Sequence, residues 1–313
     1  MFQNFDVTAR PEQGPPRLQA LRAELTREEL SGFIVPRADA HQGEYVAAHD
    51  ERLSWLTGFT GSAGFCVVLE TCAGVFIDGR YRTQVKRQVA APFTPVPWPE
   101  IQLGSWLKEQ LPQGGRVGFD PWLHATAQIT TLTQELEGSG IELVQYDNLV
   151  DRIWQDQPAP PMQPAQPHQL EHAGETATAK CERLAQELQQ AGQSAAVIAL
   201  PDSIMWLLNI RGADIPRNPV AHGFAILHAD ARVDLFMAAA KLSNLDSHLP
   251  ATVTAHPPET FLASVSALTG AIAVDTASLP HIVAEALGEK LVAAGDPCAL
   301  PKARKNDAEI AGS

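Results

Sequence analysis

Two stretches of this chain, about 150 residues apart, repeat one plan. The stronger copy is Trp206-Leu207-Leu208-Asn209-Ile210-Arg211-Gly212-Ala213-Asp214-Ile215-Pro216-Arg217-Asn218-Pro219-Val220, an apolar helical turn that passes into a polar loop stiffened by two prolines. It feeds a β-like run, Ala221 to Leu227. In the weaker copy, Trp55-Leu56-Thr57-Gly58-Phe59 leads through Thr60-Gly61-Ser62-Ala63-Gly64 into Phe65 to Leu69. Each copy has an apolar strand upstream (Phe33 to Val35; Ala196 to Leu200) and a second β-run downstream (Val75 to Asp78; Val233 to Met237). Further on, each half has a strand ending in Asp, at Asp120 and at Asp275. A repeat of this size restricts the chain to two related α/β domains in tandem. A length of 313 residues suits two domains of about 150 each.

Between the copies, residues 158–167 carry five prolines. Proline fixes φ and cannot donate to a ladder, so this segment reads as an extended linker. The organisation expected is therefore a first domain at 1–157, the linker at 158–167, a second domain at 168–300 and a junction at 301–313. In each domain the strands alternate with helices, and a hairpin makes the sheet mixed rather than all-parallel. The first domain shows an amphipathic helix at Arg17 to Leu30, a short helix Asp50 to Leu56 with Asp50 as N-cap, and the hairpin Phe65–Asp78. A basic helix Tyr81 to Val89 and a closing helix Asn148 to Trp154 complete that list. The second domain repeats the plan from Glu175–Gln190 onward, and Pro280–Ala293 reads as its last helix.

A net charge of -13 argues against nucleic acid, whose binding needs a basic face. No run of 18 apolar residues exists to span a membrane. Met1 to Arg17 has no apolar core for a signal peptide, so a cytoplasmic protein is expected. The four cysteines form no C-x-x-C pair and read as free thiols, although Cys66 and Cys72 flank the hairpin turn.

Few motifs carry chemistry. His168-Gln169-Leu170-Glu171-His172 matches H-x-x-E-H, in which two His one helical turn apart bind zinc and the Glu acts as base. Here it follows Pro167 directly and meets Gly174 two residues later, which leaves no room for a rigid two-turn helix. The glycines of 58–64 lack the G-K-[ST] ending of a phosphate loop, and Ser62 is not in G-x-S-x-G, so they read as turn residues. Arg211, Asp214 and Asn218 differ: they are polar groups on a Pro-stiffened loop between helix and strand, where α/β scaffolds often carry function. No carboxylate pair, triad or metal cluster shows in the spacing.

Five motifs in order carry a resemblance: Asp39 to Tyr45, Thr57 to Gly64, Asp78 to Tyr81, Asn148 to Trp154 and Trp206 to Val220. Together they resemble the N-terminal portion of the three-domain Xaa-Pro aminopeptidases (aminopeptidase P, in the creatinase and methionine-aminopeptidase clan). The resemblance implies two creatinase-like N-terminal domains ahead of a catalytic "pita-bread" domain, with 301–313 at the junction. In that family a dinuclear site of two Asp, one His and two Glu, all on the catalytic domain, holds two Mn²⁺ or similar ions. None of those motifs occurs in this chain, so no catalytic or metal residue carries over and the chain alone is expected to be inactive. The parent enzyme would remove an N-terminal residue that precedes proline. Its partners would be its own catalytic domain, Xaa-Pro peptides and further copies in a homo-oligomer. Arg211, Asp214, Asn218, Asp39 and His41 are the expected rim of the substrate pocket. The rival reading is a stand-alone module of the same fold that binds peptide or protein without catalysis.

Overall fold

The computed structural model describes residues 9–245 and 247–313. Of the N-terminal segment read for a signal peptide, residues 1–8 lie outside that range. The chain divides into two compact units. The first runs to Asp39, resumes over Glu44–His124 and closes with Gln128–Ala159; the second gathers Ala40–Gly43, Ala125–Ala127 and Pro160–Ser313.

The first unit is built on six strands: β1 (Gly32–Pro36), β2 (Phe65–Leu69), β3 (Ala73–Ile77), β4 (Thr94–Pro97), β5 (Gly115–Phe119) and β6 (Ile141–Gln145). They lie in the order β4-β3-β2-β1-β5-β6. The β1–β2 and β2–β3 pairs are antiparallel, while β3–β4, β1–β5 and β5–β6 are parallel. Alternate residues of a strand face opposite sides, so β1 feeds two cores. Phe33 and Val35 join Leu18, Leu21 and Leu25 of helix Gly14–Arg27 on one face. Ile34 joins Trp106, Leu107, Ile129 and Leu132 on the other, under helices Leu103–Gln110 and Thr126–Leu136. Truncating any of these Leu or Ile side chains to Ala costs about 2–5 kcal/mol.

The second unit contains a two-stranded piece, β7 (Gln166–Pro167) with β9 (Ile210–Arg211), and a second six-stranded sheet. Its strands are β8 (Ala195–Ile198), β10 (Phe224–His228), β11 (Val233–Phe236), β12 (Val253–His256), β13 (Ile272–Val274) and β14 (Leu291–Ala293). The order is β12-β11-β10-β8-β13-β14. Directions repeat those of the first sheet, antiparallel at β8–β10 and β10–β11 and parallel at β11–β12, β8–β13 and β13–β14. Two mixed α/β sheets with one topology are the architecture the repeat predicts.

Three local expectations need correction. The helix read over Pro280–Ala293 stops at Leu287, because Gly288 takes φ 56° and Leu291–Ala293 pairs with β13 as the sixth strand. An apolar run of three residues fits either state, and the ladder decided it. The basic helix at Tyr81–Val89 shrinks to Val85–Gln88 behind a 3-10 turn at Gly79–Tyr81. Asp50 does not cap its helix; its carboxylate accepts from Arg52 Nη1 at 2.9 Å. The four cysteines are free thiols.

Candidate functional site

The polar loop of the second unit starts where helix Pro201–Leu208 ends, at Asn209 in the left-handed region (φ 53°, ψ 49°). The last carbonyls of a helix lack internal partners. Here Lys180 supplies one. Its Nζ donates to the Trp206 carbonyl at 2.9 Å and to Asn209 Oδ1 at 2.7 Å, and rests 4.3 Å from the Trp206 ring centroid. Burial pulls the Lys180 pKa down to about 8, with Glu175 and Glu309 acting against the shift. Asn209 also donates to the Glu175 carbonyl, and its own carbonyl accepts from His168 N and His248 Nε2. β9 follows at once and pairs with β7, the end of the proline-rich segment.

The loop closes on itself. Gly212 N donates to Pro219 O at 3.0 Å, Asp214 N to Val220 O at 2.9 Å, and Asn218 N to Ile215 O at 3.1 Å. Asp214 turns inward: its Oδ2 accepts from His222 N at 2.7 Å and from Lys241 Nζ at 2.5 Å. His41, in the short Ala40–Gly43 segment of the same unit, packs 4.7 Å from the His222 ring and 4.5 Å from Phe224. Its Nδ1–H donates to the Ala199 carbonyl at 3.1 Å, which assigns the tautomer. Burial, and next the neighbouring His222, push the His41 pKa down to about 3, so the ring is neutral at ordinary pH.

Of the five residues expected at a pocket rim, His41 and Asp214 thus share one buried cluster with Lys241 and His222. Arg211 lies elsewhere in the loop: its Nη1 donates to the Ile210 carbonyl, burial lowers its pKa, and Glu309 partly offsets that effect. Asn218 is half-buried at the loop's far turn. Asp39 is buried in the first unit, where its charge adds to the burial that raises the Asp50 pKa. Sequence reasoning missed Lys180 and Lys241. Both had a signal, since each cation has buried apolar residues about one helical turn away on either side (Ala177 and Leu184; Met237 and Leu245).

In the first unit the shared motifs do structural work. Arg52 grips Asp151 through two bonds, Nε to Oδ1 at 2.7 Å and Nη2 to Oδ2 at 2.9 Å, as well as holding Asp50. Asn148 caps helix Leu149–Ile153 by accepting from Val150 N, and Trp154 stacks on Trp55 at 5.2 Å. Asp78 accepts from Arg80 N as the cap of the 3-10 turn, and Ser62 Oγ bonds Tyr81 Oη at 2.6 Å. His168 and His172 lie 5.9 Å apart on or beside a four-residue helix, and Nε2 of His172 faces Glu171. Within either unit taken by itself, no three His, Cys, Asp or Glu ligand atoms converge among the described residues. The buried carboxylates of Asp50 and Asp214 are engaged by Arg52 and Lys241, so the donor set of neither unit fits a dinuclear centre.

Two tandem α/β units of one topology, each carrying a polar loop ahead of a hairpin, define a creatinase-type N-terminal region. The chain belongs to the Creatinase/Prolidase N-terminal domain family, whose models match residues 17–153 and 156–309. It is 34% identical over 319 residues to a probable Xaa-Pro aminopeptidase P of Talaromyces marneffei, covering 95% of this chain and 48% of that protein. To human Xaa-Pro aminopeptidase 2 it is 36% identical over 239 residues, 72% of this chain and 34% of that protein. The crystal structure of X-prolyl aminopeptidase from Caenorhabditis elegans, described as a cytosolic enzyme with a di-nuclear active site, superposes with a TM-score of 0.89 at 28% identity. That match covers 95% of this chain and 52% of the nematode chain. The chain therefore spans about half the length of such relatives. No helix among the described residues is long and apolar enough to cross a membrane.

Proposed function

We infer that this chain is the non-catalytic N-terminal region of a cytoplasmic, metal-dependent Xaa-Pro aminopeptidase. The observation that carries this reading is the extent of the match: 95% of the chain aligns, with one fold, to about half of an X-prolyl aminopeptidase. Hydrolysis, and the two Mn²⁺ or similar ions that would activate a water for it, belong on this reading to the portion of the relatives that the chain does not span. No step is assigned to a metal in either unit, where the buried carboxylates of Asp50 and Asp214 are engaged by Arg52 and Lys241. The role proposed for the two domains is to shape access to the substrate and to support a homo-oligomer.

Arg211, Asp214, Asn218, Asp39 and His41 are proposed as parts of the pocket rim in two different capacities. Arg211 offers a half-buried guanidinium whose hydrogen bonding among the described residues is to a single carbonyl, a forked donor suited to peptide carbonyls or carboxylates. Asp214 and His41 are buried, and their contribution is to hold the loop that presents Arg211 and Asn218. The chain by itself should release no N-terminal residue from an Xaa-Pro-Xaa peptide in the presence of Mn²⁺. Turnover that depends on Mn²⁺ and withstands further purification overturns the assignment. In a protein carrying the catalytic portion, Arg211→Ala and Asn218→Ala should each lower kcat/KM for such peptides with the melting temperature unchanged. Parental kinetics in both would leave the loop a purely structural part.

A further inference from the structure

In the first unit, a cleft of about 260 Å³ opens beside the start of helix Gly14–Arg27. Arg10, Arg17, Glu51, Ser54, Trp55 and Trp154 line it. Arg17 stacks on Trp55, its guanidinium carbon 4.4 Å from the ring centroid, and Trp55 stacks in turn on Trp154. Among the described residues the Arg17 guanidinium makes one hydrogen bond, to the Trp55 carbonyl, and no ion pair. The Arg10 side chain has neither a hydrogen bond nor an ion pair there. Trp55 adds a buried indole N–H with no acceptor. Among the described residues Arg10 and the remaining N–H groups of Arg17 are thus donors without an acceptor.

That arrangement runs against the charge balance of the chain. With 36 acidic and 23 basic side chains, surplus carboxylates are expected and surplus guanidiniums are not. The nearby carboxylates do not close the gap. Glu51 faces Arg37, at 3.6 Å, and Asp156 acts on Arg17 only through space. Burial lowers the Arg17 pKa, Asp156 opposes that effect and the adjacent Arg10 deepens it, which places the two cations near each other.

We propose that this cleft is a binding site for a carboxylate, with Arg10 and Arg17 as its charge partners. A guanidinium meets a planar carboxylate through parallel N–H groups, and the bond is strengthened by charge on both sides. The carboxylate of Glu51 at the rim selects against a doubly charged phosphate more strongly than against a singly charged carboxylate. The volume admits an acylated amino acid or the end of a short peptide. This site is independent of the catalytic assignment above.

The test uses the whole chain, with N-acetylglycine as probe and indole ¹H–¹⁵N resonances as readout, Trp55 being assigned through Trp55→Phe. Partly solvated guanidinium–carboxylate pairs give a Kd on the order of millimolar. N-acetylglycine should therefore shift the Trp55 and Trp154 signals saturably, while N-acetylglycinamide should not. Arg10→Gln, at an exposed position, should weaken binding by about threefold to tenfold, and Glu51→Gln should tighten it by a smaller factor. Three results overturn the proposal: no shift with N-acetylglycine, equal shifts with its amide, or affinities indifferent to both substitutions. Inorganic phosphate binding as well as N-acetylglycine overturns the assignment to a carboxylate.

Discussion

Lys241 Nζ lies 2.5 Å from Asp214 Oδ2, with the two side chains 6% and 0% exposed. The pair ties the loop of the second unit to the short helix Ala239–Leu242, and Lys241 extends the tie to the His222 carbonyl at 3.3 Å. A buried pair contributes little net stability, yet removing one partner leaves a charge without solvent or counter-ion. Lys241→Met should thus destabilise the second unit by about 3–5 kcal/mol, because Asp214 Oδ1 already lacks a partner. Lys241→Met with Asp214→Leu should recover a large part of that loss. Urea unfolding of the single and double variants checks it, and equal losses in both would show that the charge is not what matters.

His41 sets an acid limit. In the unfolded chain a histidine titrates near 6.5; in the fold burial holds His41 to about 3. Between those values the unfolded state binds more protons, so this contribution is complete above pH 6.5 and is lost as pH falls toward 3. The loss is on the order of a few kcal/mol. His41→Gln should flatten the fall in melting temperature between pH 6.5 and 4 relative to the parent, and unchanged slopes would remove His41 from the cause. Carboxylate titration is common to both proteins and cancels in the comparison.

Lys180 behaves in the same sense at the alkaline end. Its pKa falls from 10.5 to about 8 in the fold through burial, so the unfolded chain binds the extra proton across that window. Stability from this group therefore rises as pH goes from 8 to 10.5. Lys180→Met removes the rise, and at pH 7 it should also cost about 1–3 kcal/mol because the Trp206 carbonyl and Asn209 Oδ1 lose their donor. Thermal melts of both proteins at pH 7, 8.5 and 10 measure the two effects separately.

The sheets were legible in the sequence because their signal is short-range. Phe33, Ile34 and Val35 are buried on both faces, and the hairpin Phe65–Ile77 has its turn in plain view. Leu291–Ala293 was not legible, because three apolar residues after a helix say nothing of the β13 ladder they join. The loop Arg211–Pro219 stood out through its prolines and polar groups, but the direction of each side chain did not. Asp214 faces a lysine 27 positions away and His41 faces residues more than 150 positions away, and no periodicity encodes such pairings. The buried lysines offered the better clue, since a cation on an apolar face must find acceptors.

Backbone closeness in the loop yields the last prediction. A Cβ on Gly212 would sit 2.2 Å from Ala221 N and 2.3 Å from the Val220 carbonyl carbon. Both are backbone atoms of the chain returning from the loop, held there by Gly212 N to Pro219 O and Asp214 N to Val220 O. Neither can rotate aside, so a methyl group forces the two strands of the loop apart. That separation strains both hydrogen bonds and draws Asp214 away from Lys241 and the His222 N–H. Gly212→Ala should cost upwards of about 2 kcal/mol, well beyond the average substitution. Arg211→Ala, one residue earlier, deletes a side chain whose hydrogen bond is to the adjacent Ile210 carbonyl, and should change stability by less than about 1 kcal/mol. Chemical denaturation of the pair, with hydrogen exchange at the Asp214 amide, tests the mechanism. Protection retained at that amide in Gly212→Ala would mean the loop absorbs the methyl group and the close approach is not what fixes its shape.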